Sequence, residues 1–223
     1  MTQVQEQLRQ QLQEDSDFLV DRMKQWTQKP TFHLITYFQA GDDERLAETL
    51  QTLGAQLYSA WTLTIISEVA APDKMLDTLS VLNWVQVPTA SHKSTVMSII
   101  KDSEGDWIGF IRPGDQLEAQ AFLLIADYSN NQASWKMIYT DEDQFNAKGE
   151  IVGTLRKPDF DVEQFARTNL IGRGVFLQHS LFQRIEGLSG LFDSTQALST
   201  KVVEHVGDFS IGHIPVVLYH TAL

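Results

Sequence analysis

The segment Ile138-Tyr-Thr-Asp-Glu-Asp-Gln-Phe-Asn-Ala-Lys-Gly149 carries three consecutive acids, Asp141, Glu142 and Asp143. Carboxylates at i and i+2 just past a strand are hard oxygen donors, and Asp141 with Asp143 has the spacing to share one divalent cation. The other reading is structural, with the acids accepting backbone N–H groups in a tight turn. Spacing alone leaves both open. Histidines at 33, 92, 179, 205, 213 and 220 include no pair at helical metal spacing beside a carboxylate motif, which argues against a zinc site. With no cysteine, thiolate ligands and disulfides are excluded.

Such residues need elements to hold them. From Thr31 onward short apolar strands alternate with helical stretches, the pattern of an α/β domain with a mostly parallel sheet. Phe32 to Phe38 reads as a first strand. Leu46, Thr49, Leu50, Leu53 and Leu57 recur on one helical face, with Asp42, Asp43 and Glu44 at the end where carboxylates complement the helix dipole. Further strands are expected at 61–66, 85–87, 107–111 and 136–140, and helical stretches at 94–103 and around Leu117 to Tyr128. Pro113 and Gly114 mark a turn. After an irregular stretch, Leu198, Val202 and Val206 predict a last helix and Ile211 to His220 a last strand. In open sheets of this kind ligands bind beyond the carboxyl ends of strands, so the residues after Phe38, Ile66, Ile111 and Thr140 are candidates.

A chain of 223 residues with 43% hydrophobic content holds one substantial core. The expected division is a helical extension over 1–30 and one domain over 31–223. In the extension, Val4, Leu8, Leu12, Leu19, Met23 and Trp26 follow a spacing close to helical, ended by Lys29-Pro30. Its Gln-rich first half suits a homo-oligomer or protein partner, whereas Phe18 to Trp26 suits packing on the domain. A net charge of −12 argues against non-specific binding to nucleic acid or to an anionic membrane. No apolar run reaches the roughly 20 residues of a membrane span, and no apolar stretch precedes Phe18, so a soluble, cytoplasmic protein is expected.

The acidic segment, followed by Lys157-Pro-Asp-Phe160, resembles a block of bacterial family-2 glycosyltransferases of the surface-polysaccharide (O-antigen) type. Other segments keep that family's order from about residue 31 to 220. They are Leu34-Ile-Thr-Tyr37, the stretch from Leu50 to Leu63 with Gln56, Tyr58 and Trp61, Asn169-Leu-Ile-Gly172, and His213-Ile-Pro-Val-Val-Leu-Tyr-His220. The resemblance implies a GT-A nucleotide-binding fold and transfer of sugar from a nucleotide-sugar to a glycan acceptor. It places Thr36 and Tyr37 against the nucleobase and Asn169, Gly172 and Arg173 on the acceptor side.

The same resemblance exposes departures. The family's Asp-x-Asp pair, which holds Mn or Mg against the diphosphate, falls on Arg112 and Gly114, with only the trailing Asp115 acidic. A divalent cofactor is therefore doubtful. Arg112 is either a fixed cation for phosphate or a surface residue of a Pro-Gly turn. An aspartate pair beside base and ribose is reduced to Ser67-Glu68. The stretch that carries the general base reads Gln196-Ala-Leu-Ser199, with no carboxylate, and Asp193 upstream is the one substitute. Arg173 stands where the family commonly has histidine. An impaired transferase and a catalytically inactive domain that binds a glycan, nucleotide or partner protein are both consistent with these losses.

Overall fold

The computed structural model describes residues 18, 20–73, 76–168, 170–182, 184 and 195–222. Among the described residues nine strands form one sheet: β1 Phe32–Phe38, β2 Trp61–Ser67, β3 Leu82–Gln86, β4 Trp107–Phe110, β5 Gln116–Leu117, β6 Met137–Phe145, β7 Ile151–Leu155, β8 Val175–Gln178 and β9 Ile211–Ala222. Their order is β3-β2-β1-β4-β8-β6-β9-β5, with β7 paired to β6. The block β3-β2-β1-β4 is parallel. β8 enters antiparallel between β4 and β6, and β9 runs parallel to β6. With β5 and β7 reversed against β9 and β6, β1, β2, β3, β4, β6 and β9 point one way and the sheet is mixed but mostly parallel.

Burial on both faces explains the near-continuous apolar reading of β1 and β2. Alternate residues feed two cores. Phe32, Leu34 and Phe38 pack under α1 (Asp43–Gly54) and α3 (Ala121–Asn131), through Leu46, Leu53 and Phe122. Ile35, Ile66 and Ile108 pack on the other side against α2 (His92–Lys101), α4 (Val162–Arg167), α5 (His179–Phe182) and α6 (Thr195–Val206).

Within the N-terminal extension, Val20, Met23 and Trp26 pack on the first core, and Arg22 and Trp26 both donate to Asp127 of α3. Residues 1–17, which carry the expected assembly surface, lie outside the described residues. Among the described residues no helix is long and apolar enough to cross a membrane.

Three expectations change. The strand expected at 136–140 runs on to Phe145, so the acidic triplet lies inside β6 rather than in a turn beyond it. Acids disfavour strands unless paired, and here β9 supplies partners. The stretch read as irregular contains β7, α4, β8 and α5, elements of four to six residues, too short to display a period. Two helical faces are shorter than expected: Leu57 lies beyond α1 and is 43% exposed, and Leu117 belongs to β5 rather than to α3.

Candidate ligand crevice

Successive strands add outward from β1 through β2 to β3, and then β4 takes the other side of β1. That reversal opens a crevice at the carboxyl ends of β1 and β4, where open α/β sheets bind ligands. A cavity of about 500 Å³ lies there, lined among others by Tyr37, Arg45, Arg112, Asp115, Gly172 and Arg173. The six come from four separate stretches of the chain, at 37, 45, 112–115 and 172–173, and the sheet topology brings those stretches together.

Asp115 closes the turn after β4. Its amide is bonded to the Arg112 carbonyl, and Gly114 adopts φ +93°, a conformation few side chains tolerate. The Asp115 carboxylate is 1% exposed and fully engaged. Arg173 Nη1 donates to Oδ1 at 2.7 Å and to Oδ2 at 2.8 Å. The Tyr219 hydroxyl donates to Oδ2 at 2.7 Å, and the amides of Arg112 and Ala222 donate at 3.3 Å. Burial pushes this carboxyl above its ordinary pKa, and the Arg173 charge and the Tyr219 hydrogen bond oppose that push. Burial, reinforced by the Asp115 charge, also lifts the Tyr219 phenol well above its usual value.

Arg173 stands on a corner of two glycines, Gly172 at φ +61° and Gly174 at φ +70°. A Cβ on Gly172 would lie 2.7 Å from Glu142 Oε1, so the corner is pressed directly against β6. Glu142 Oε2 accepts the Arg173 amide at 2.6 Å and the Lys157 ammonium at 3.0 Å, and Lys157 also donates to the Arg173 carbonyl. Burial lowers the Lys157 pKa, with Glu142 opposing it.

Asp141 and Asp143 are buried and do not line this crevice. Asp141 accepts from the Lys157 amide, His213 Nε2 and Arg156. Burial alone would raise its pKa, but these donors outweigh it and hold the carboxyl below the usual range. Asp143 bonds to His220 Nδ1 at 2.5 Å, and His220 Nε2 bonds to Glu118. The backbone N–H acceptance read for the triplet is therefore present at Asp141 and Glu142, in a strand setting. Among the described residues no group of three or more His, Asp or Glu side chains is arranged to hold a metal ion.

The remaining expected residues separate. Tyr37 lines both the crevice and a second cavity of about 630 Å³ beyond β2, which Glu68 also lines. Glu68 Oε1 accepts the Thr89 amide at 2.8 Å. Thr36 lies on the opposite face of β1 from Tyr37, is 2% exposed, and lines neither cavity, because strand side chains alternate. Arg112 is exposed at the crevice mouth. Asn169 and Asp193 lie outside the described residues. Sequence reading missed Arg45, which sits on the solvent side of an amphipathic helix with no signal of its own, and it missed the pairing of Tyr219 with Asp115.

No protein-family model matches the chain. The chain is 23% identical over 202 residues to the O-antigen biosynthesis protein RfbC of Myxococcus xanthus, covering 87% of this chain and 16% of that protein. It is 28% identical over 193 residues to the uncharacterized protein y4gI of Sinorhizobium fredii, covering 80% of this chain and 21% of that one. The chain thus spans about a fifth or less of these relatives. Among solved structures, S. aureus TarS in complex with UDP superposes with a TM-score of 0.63 at 13% identity, covering 86% of this chain and 60% of that one. TarS in complex with UDP-GlcNAc gives 0.62 at 12% identity, covering 86% and 58%. The α/β, GT-A-like fold expected from the sequence is the fold found.

Proposed function

We propose that this chain is a glycosyltransferase-type domain of polysaccharide biosynthesis that binds a nucleotide-sugar in the crevice beyond β1 and β4, with its transfer chemistry impaired. The observation that carries the reading is the position of that cavity, at the strand-order reversal of a sheet shared with a protein crystallised with UDP. In this reading Tyr37 lies against the base and Glu68 reaches toward the ribose. Asn169 and Gly172 face the acceptor, and Arg173 reaches from that side into the crevice. Residual transfer would draw on Asp193 as base.

One observation favours a purely binding role. Asp115, the one acid left at the family's metal position, is 1% exposed and already held by Arg173 and Tyr219. An inactive domain that presents a nucleotide or glycan to a partner protein is then the second reading.

Calorimetric titration with UDP, GDP and dTDP tests both. Saturable binding by one of them is expected, weakened about 10-fold in Tyr37→Ala, the scale of one base–aromatic stacking contact. Release of nucleoside diphosphate from the matching nucleotide-sugar should stay far below the roughly 1 s⁻¹ of ordinary enzymes. Absence of nucleotide binding would sink the nucleotide reading, and brisk release would sink the impairment.

A further inference from the structure

Three arginines line the crevice: Arg45 from α1, Arg112 beyond β4, and Arg173 on its glycine corner. The chain carries 29 Asp and Glu against 17 Lys and Arg, so an arginine on its surface has acids in abundance to pair with. Yet Arg45 and Arg112, both exposed, have no side-chain acceptor or ion-pair partner among the described residues. Arg173 engages Asp115 through Nη1 alone, and its side chain is 32% exposed. Among the described residues of the lining the acids are Asp42 and Asp115, so three cations face two anions there in a chain of −12.

The turn after β4 draws two of these cations to one place. The Gly114 amide bonds to the Arg45 carbonyl at 2.9 Å. A Cβ added to Gly114 would meet Arg45 Nε at 3.0 Å, so the Arg45 side chain lies across the turn that begins with Arg112. A divalent cation does not fit the same turn. It requires several oxygen ligands, whereas Arg112 is itself cationic, Gly114 has no side chain, and both oxygens of Asp115 are occupied by internal donors.

We infer that the crevice holds the diphosphate of a nucleoside diphosphate directly on Arg45, Arg112 and Arg173, with guanidinium forks in the place of a metal ion. Planar guanidinium groups match phosphate oxygens two at a time, and they carry their charge without a cofactor. The inference rests on the nucleotide reading above and specifies its phosphate chemistry.

The test uses the whole chain in phosphate-free buffer, titrated with pyrophosphate and with UDP, GDP and dTDP, first with EDTA and then, for the nucleotides, with Mn²⁺. Nucleotide affinity is expected to agree within about 2-fold between the two conditions. Arg112→Ala and Arg45→Ala should each weaken nucleotide and pyrophosphate binding about 10-fold to 100-fold, the range for a charge-assisted contact, and Arg112→Lys should recover part of the loss. Both positions are exposed, and far-UV circular dichroism with a thermal melt checks that the variants fold. Nucleotide binding that requires Mn²⁺ would overturn the arginine site and leave the nucleotide reading standing. Equal affinity in the two alanine variants and the parent would also overturn it. Pyrophosphate binding that depends on Arg112, without binding of any of the three nucleotides, would remove the nucleotide reading and keep only an anion site.

Discussion

Lys157 shows how individual residues hold the crevice in shape. Its ammonium group is fully buried and joins Glu142 of β6 to the carbonyl of Arg173. Lys157→Met would strand the Glu142 carboxylate with a single backbone donor, and removal of one partner of a buried pair costs about 3–5 kcal/mol. Urea unfolding should show that loss, and a loss below about 1 kcal/mol would mean that Glu142 finds water instead. At this scale the sequence was legible in identity but not in pairing. Asp115 stands out as the acid that remains beside Arg112 and Gly114. Its partners do not stand out, because Arg173 is 58 residues away and Tyr219 is 104 residues away. Thr36 and Tyr37 are neighbours in the chain, yet only one faces the crevice, a consequence of strand alternation that the resemblance did not take into account.

Among the elements, β6 and β9 form the most unusual pairing, since each strand carries groups that strands normally exclude. Asp141 and Asp143 of β6 find His213 and His220 of β9, and Pro215, which has no N–H to give, sits where the register jumps from Thr140↔Ile214 to Asp141↔Val217. Burial would lower the His220 pKa, but its bonds to Glu118 and Asp143 outweigh that and raise it above the ordinary 6.5. A histidine whose folded pKa is raised contributes stability that is complete below 6.5 and is lost as pH climbs through the folded value. Denaturation midpoints should therefore decline as pH rises from 6.5, and His220→Gln should flatten that decline. A parallel slope in the variant would assign the dependence to other groups. Long elements with a clear pattern were legible: β1 falls at its expected bounds, and α1 and α6 carry their expected apolar faces, Leu57 beyond α1 excepted. β8, with four residues, was not, although it separates the parallel block from β6. The far end of β6 was misread because its acids carry the composition of a turn while their compensating histidines come some 70 residues later.

For the molecule as a whole, two fields of opposite sign act at different ranges. The chain carries −12 in total, whereas the described residues of the crevice lining set three arginines against two acids. Screening length shortens from about 30 Å at 0.01 M salt to about 8 Å at 0.15 M. Added salt should therefore remove the distant repulsion of an anionic ligand and also weaken the close attraction of the guanidinium groups. Stopped-flow measurements with a fluorescent nucleoside diphosphate are expected to show an association rate that rises with salt and a dissociation rate that rises more. An association rate that falls with salt would mean that the crevice field already governs the approach. On the proposed binding, Arg45 and Arg112, without side-chain partners among the described residues, would set a schedule as well as an affinity: a ligand would meet resistance on the way in and be detained once inside, so ionic strength would shorten each visit while making visits more frequent.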